Sequence, residues 1–113
     1  MGQYVKEIND ENFEKVVLQS EVPVLVDFWA AWYGPCLVLA PAIEAVAEEH
    51  AARARVVKLN GDDNPSFTRR YDIRGMPTII LFKGGEERER LIGVVSKEEI
   101  SQKIDKHLNK ALN

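Results

Sequence analysis

Cysteine occurs once in this 113-residue chain, at Cys36, and that scarcity excludes more than any other feature. A lone thiol cannot close an intramolecular disulfide or supply a metal cage, so any redox chemistry must involve a second molecule. The sequence also lacks the roughly 20 consecutive apolar residues that would cross a bilayer. The start MGQYVKEIND carries no apolar export segment, and a cytoplasmic protein that does not touch the membrane is expected. No excess of basic charge is present either: 15 Lys and Arg are scattered among 18 Asp and Glu, for a net charge of -3. That distribution lacks the footprint of a phosphate-binding surface, so nucleic acid is not expected as a partner. Gly2 is followed by Lys6 where a myristoylation motif has Ser or Thr, and Asn64-Pro65-Ser66 fails as a glycosylation site because of its proline. The only two histidines, His50 and His107, have no second ligand at metal spacing. They read as solvated surface residues, and neither a metal nor a cofactor is expected.

What is present is ordinary globular material, 45% hydrophobic and 29% charged, which is enough for a core and too apolar for a disordered chain. Folding at this length should bury roughly two thirds of the surface of the extended chain, and one monomeric domain over residues 1–113 is expected.

The pattern of apolar residues gives the element order. Tyr4 to Ile8 reads as a short strand. Asn9 or Asp10 then caps a helix whose inner face is Phe13, Val16 and Val17. Val22 to Trp29 is a near-continuous apolar run of strand length, interrupted only by Asp27, as expected of a strand covered on both faces. Leu37 to His50 reads as a helix with Leu39, Ile43, Val46 and Ala47 inward and a kink at Pro41. Arg55 to Asn60 is a third strand, and Asn64-Pro65 opens a short helix through Tyr71. Thr78 to Phe82 pairs through a Gly84-Gly85 turn with a returning strand, Arg90 to Val95. The mixed charges from Glu86 to Arg90 read as a solvated edge. Ser96 and Glu99 form a capping box, followed by Ile100, Ile104, Leu108 and Leu112 at helical spacing. The order β-α-β-α-β-α-β-β-α predicts an α/β fold with a mixed five-stranded sheet flanked by four helices.

The segment from Val24 through Asp27 and Trp29 to Trp32-Tyr33-Gly34-Pro35-Cys36 resembles the signature of the thioredoxin family, whose loop reads Trp-Cys-Gly-Pro-Cys after a strand of this kind. Val57-Lys58-Leu59-Asn60, Asp63-Asn64-Pro65, Tyr71 to Thr78 and Leu81-Phe82-Lys83-Gly84-Gly85 are also similar to that family in order and spacing. The resemblance covers nearly the whole chain and implies the thioredoxin fold.

The resemblance also implies roles. It places the family's nucleophilic cysteine at Tyr33, and there the chain departs from the pattern. In the family a thiolate attacks a substrate disulfide and a second thiol resolves the mixed disulfide. A phenol neither forms disulfides nor ionises appreciably at neutral pH. The dithiol cycle is therefore expected to be absent. Cys36 matches the resolving cysteine. It reads either as a small buried hydrophobe or as a thiol that reacts with an outside disulfide, glutathione or an oxidant. Asp27 resembles the buried carboxylate that takes a proton from that thiol, and Lys58 its neighbour. A structural Asp27–Lys58 pair and a surviving acid–base role are equally open. Met76-Pro77 matches a cis-proline turn that presents backbone to an extended substrate chain. With Trp32, Tyr33, Gly34, Pro35 and Gly93 it would form a shallow apolar groove, in which Tyr33 acts as a filling group. Trp29 reads as core.

Two functions compete at this level. The chain is either a member of the thiol-disulfide oxidoreductase lineage with impaired exchange, or a peptide-binding module that uses the groove without electron transfer. A Tyr33 introduced into an otherwise ordinary member is a third reading. The implied partners are protein or peptide thiols and disulfides, with a thioredoxin reductase or glutathione as candidates.

Overall fold

A computed structural model describes residues 2–108; Leu112 lies outside the described residues. The strands are β1 (Lys6–Ile8), β2 (Val24–Trp29), β3 (Arg55–Asn60), β4 (Thr78–Lys83) and β5 (Glu86–Ile92). The helices are α1 (Gly34–Glu49), α2 (Pro65–Arg70) and α3 (Lys97–Lys106), and a π-helical segment spans Glu14–Leu18. The strands form one mixed sheet in the order β1-β3-β2-β4-β5. In it β1 and β2 run parallel to β3, while β4 runs antiparallel to β2 and to β5. This is the expected fold class, with the first helix realised as a π-helical segment.

Alternation along β2 divides the core. Val24, Val26 and Phe28 pack on one face with Phe13, Phe67 and Phe82, where the Phe13 and Phe67 rings stack at 4.2 Å. Leu25 faces the other side, against Leu39 and Ile43 of α1 and Ile100 and Ile104 of α3. Asp27 follows Leu25 by two residues, so its carboxyl points to the α1 side of the sheet.

Asn9 and Asn12 exchange hydrogen bonds: each backbone N–H donates to the other's side-chain oxygen, at 2.9 and 3.0 Å. Asp10 does not cap the segment that follows it. Its carboxylate accepts the N–H groups of Ser66 and Phe67 at 2.9 and 3.0 Å, capping α2 across the fold. The Ser96 hydroxyl accepts the Glu99 N–H at 3.1 Å, as expected of the capping residue of α3.

The returning strand begins at Glu86, earlier than the apolar pattern suggests. Gly84 and Gly85 both have positive φ, 63° and 79°, a two-residue turn whose twist matches the strands and lets pairing resume at once. The charged run is thus edge strand rather than loop, and pairing ends at Ile92 because Gly93 turns away with φ 88°.

The two histidines depart from the surface reading. His50 is buried, its Nδ1 2.9 Å from the Val46 carbonyl and its Nε2 2.9 Å from Asp105 Oδ1, which ties the end of α1 to α3. His107 is largely covered and lies 2.7 Å from Glu89 Oε2. Both sit under partners supplied by distant segments, which helical periodicity does not reveal. Asp105→Ala leaves a buried ring nitrogen without its partner and is expected to destabilise the fold by about 1–3 kcal/mol, read by urea denaturation.

Candidate functional site

The loop between β2 and α1 carries most of the residues singled out from the sequence. Tyr33 is the last extended residue before α1 (φ -105°, ψ 114°), and Gly34 and Pro35 open the helix, where proline loses no hydrogen bond. The Cys36 N–H donates to the Tyr33 carbonyl at 3.0 Å, so the two residues face each other across the first helical turn. Their side chains diverge. Tyr33 is 39% exposed, whereas Cys36 is 3% exposed and is a free thiol. Burial pushes the Cys36 thiol up from its ordinary value; a hydrogen bond from the Ala30 backbone partly opposes this, and the nearby Asp27 charge adds to it.

Asp27 lies behind the thiol, 5% exposed, with Oδ1 lacking a hydrogen-bond partner among the described residues. Burial raises its carboxyl to about 7, with Lys58 pulling it down and Glu7 pushing it up. Lys58 is its register neighbour on β3. The ammonium nonetheless sits 3.9 Å from Glu7 Oε1 and 4.8 Å from the centre of the Trp29 ring. A direct Asp27–Lys58 ion pair is therefore replaced by a longer-range attraction.

Met76-Pro77 is a cis peptide. The Gly93 N–H donates to the Pro77 carbonyl at 2.9 Å, fastening the end of β5 to this turn. The Met76 side chain is partly buried, packing against the aromatic half of the core and over Gly61. Trp32 is 72% exposed, with its indole N–H donated to Asp62 Oδ2 at 2.5 Å and its ring 5.4 Å from that of Tyr33. Trp29 is half-buried and outside both apolar clusters, contrary to its reading as core.

Sequence reasoning missed four exposed apolar residues beside the loop: Leu37 and Val38 on α1, and Ile92 and Val94 around Gly93. The signal for the first two was available, because they fall off the inward face defined by Leu39, Ile43 and Val46. Trp32 and Tyr33 are exposed as well, and Ile92 and Val94 flank the Gly93 whose N–H is bonded to the Pro77 carbonyl. Among the described residues no helix is long and apolar enough to cross a membrane, and no three His, Cys, Asp or Glu side chains gather as a metal site would require.

The thioredoxin family model matches residues 4–106. The chain is 49% identical over 102 residues to a chloroplastic M-type thioredoxin of Chlamydomonas reinhardtii, covering 90% of this chain and 73% of that protein. It is 45% identical over 105 residues to the chloroplastic M-type thioredoxin of Spinacia oleracea, covering 93% of this chain but 58% of that protein. Thioredoxin 1 of Nostoc is 44% identical over 102 residues, covering 90% of this chain and 95% of that protein. With the family model matched over residues 4–106 and relatives at 44–49% identity covered over more than two thirds of their length, the chain belongs to the thioredoxin family.

Proposed function

We propose that this thioredoxin-family chain has lost dithiol exchange and retains the groove beside Pro77 as a binding site for an extended peptide segment of a partner protein. The observation that carries this reading is the contrast between positions 33 and 36: the exposed position holds a phenol, and the only thiol is buried. A substrate disulfide approaching the loop would meet Tyr33, which cannot attack it. The exposed apolar side chains of Trp32 and Ile92 suit peptide side chains, and backbone beside Pro77 suits strand-like pairing. Asp27 and Lys58 then have no exchange reaction to serve, and Asp27 keeps the raised carboxyl of an acid–base group. A single free thiol suits a reducing compartment, the cytoplasm on this reading; the names of the algal and spinach relatives place those proteins in chloroplasts.

The competing reading is capture of a partner disulfide or glutathione by Cys36, with the partner or a thioredoxin reductase supplying the resolving thiol. It is favoured by the position of Cys36 in the first turn of α1, where helix amides stabilise a thiolate. Two measurements separate the readings. Cys36 is expected to react with a chromogenic aromatic disulfide at least about 100-fold more slowly in the native protein than in denaturant, since burial opposes both access and ionisation. A cysteine-free apolar peptide is expected to shift the Trp32 indole and Gly93 amide NMR signals equally in the parent and in Cys36→Ser. Native reactivity at the denatured rate, with no peptide-induced shift, would replace the binding reading with the monothiol one.

A further inference from the structure

Asp27 faces a second feature, on the α1 side of the sheet and away from the Pro77 groove. A cleft of about 380 Å³ opens between the N-terminal segment and α1, lined by Val5, Leu37, Ala40, Pro41 and Ile43, with Asp27, Glu44 and Lys58 as its charged groups. This is within the size range of small-molecule sites, towards its lower end. Its walls are largely apolar, and Asp27, 5% exposed, lines it; the Oδ1 of that carboxyl is itself buried and without a partner among the described residues. Glu44 is held nearby, because its Oε1 accepts the Tyr4 N–H at 2.8 Å. Lys58 lines the cleft, yet its ammonium is engaged by Glu7 and the Trp29 ring.

We propose that this cleft binds a small organic cation, a primary amine or amidine on an apolar body of about the size of a benzyl group, with the cationic head at Asp27 and Glu44. The head lies beside the two carboxylates that line the cleft and compensates the negative charge of Asp27 when its carboxyl ionises. The body replaces water along Leu37, Ala40 and Ile43. An anion would meet two carboxylates against one already engaged ammonium. An uncharged molecule would leave the ionised carboxylate uncompensated.

Binding of a cation is linked to the proton on Asp27, which titrates near neutrality. The other charged or titratable groups around it are Lys58 on β3, Glu7 on β1, and Glu44 and the Cys36 thiol on α1. Raising the pH from 6 to 8 removes the Asp27 proton and should tighten binding of an amine that stays charged throughout.

The test is an NMR titration of the full chain with benzylamine, using benzyl alcohol as the uncharged probe of similar size. Benzylamine is expected to shift the amide signals of Asp27, Ala40 and Ile43 saturably at pH 8, to bind at least about tenfold more tightly than the alcohol, and to weaken at pH 6. Asp27→Asn should abolish both the tenfold advantage and the pH dependence. Ala40→Phe, which fills the cleft and leaves the charges in place, should weaken benzylamine at least about tenfold. Equal binding of the two probes overturns the proposal, as do shifts confined to the Trp32 and Gly93 region or benzylamine binding that survives both substitutions.

Discussion

Tyr33→Cys is expected to convert the chain into a protein-disulfide reductase, raising the rate of disulfide reduction in a thiol-coupled assay at least about 100-fold above the parent. The geometry awaits only the thiol. Position 33 is exposed and extended, immediately ahead of a 16-residue helix. The positive end of the α1 dipole favours a thiolate placed there. That thiolate would attack a substrate disulfide, and the substrate's leaving sulfur would carry away the electron pair. Cys36, one helical turn on and shielded from solvent, would then attack the mixed disulfide, releasing the substrate as a dithiol and leaving a disulfide between positions 33 and 36 for an external reductant. Burial suits this second role, because a shielded thiol encounters only what position 33 has already captured. A variant that folds and forms the internal disulfide but stays at the parent rate would show that the surrounding surface no longer admits disulfide substrates.

The second large effect concerns stability. Burial moves the Asp27 carboxyl from its ordinary 3.8 to about 7, so between roughly pH 4 and 7 the folded chain holds a proton that the unfolded chain has released. The unfolded state then binds fewer protons, and stability falls as pH rises through that window, levelling off above the folded value. The full difference amounts to about 4 kcal/mol. Asp27→Asn preserves shape and cannot ionise. Its stability relative to the parent should be lowest near pH 4 and improve by about 4 kcal/mol by pH 8, followed by urea denaturation at a series of pH values. A parallel pair of stability curves would mean that the carboxylate is compensated in the folded state.

Much of the fold was legible because its strongest signals are local. The apolar run of β2 with one acid in it, the loop from Trp32 to Cys36, the two-glycine turn and the Ser96 cap each declare themselves within a few residues. What escaped depends on partners far away in sequence. His50 is buried because α3 brings Asp105 to it. Met76 turns inward because Gly61 leaves space for it. Lys58 passes over Asp27 in favour of Glu7 and Trp29, a choice set by three neighbouring strands and not by the spacing of any one. The candidate site was legible in its chemistry, since the identities at positions 33 and 36 are read directly. Its surface was legible only in part: Leu37 and Val38 fall off the inward face of α1, whereas the exposure of Ile92 and Val94 depends on where β5 ends at Gly93.

The cap that Asp10 places on α2 bears on the order of folding. Six residues are too few to persist as an isolated helix, and the side chain that satisfies the first amides of α2 lies 56 residues earlier in the chain. The π-helical segment, β2, α1 and β3 lie between the two ends, and their packing shortens the loop that the cap must close. The short helix is thus expected to form late in the folding reaction, which would show as low φ-values for Asp10→Ala and for substitutions in α2. The interactions it contributes act mainly to slow unfolding rather than to speed the approach to the native state.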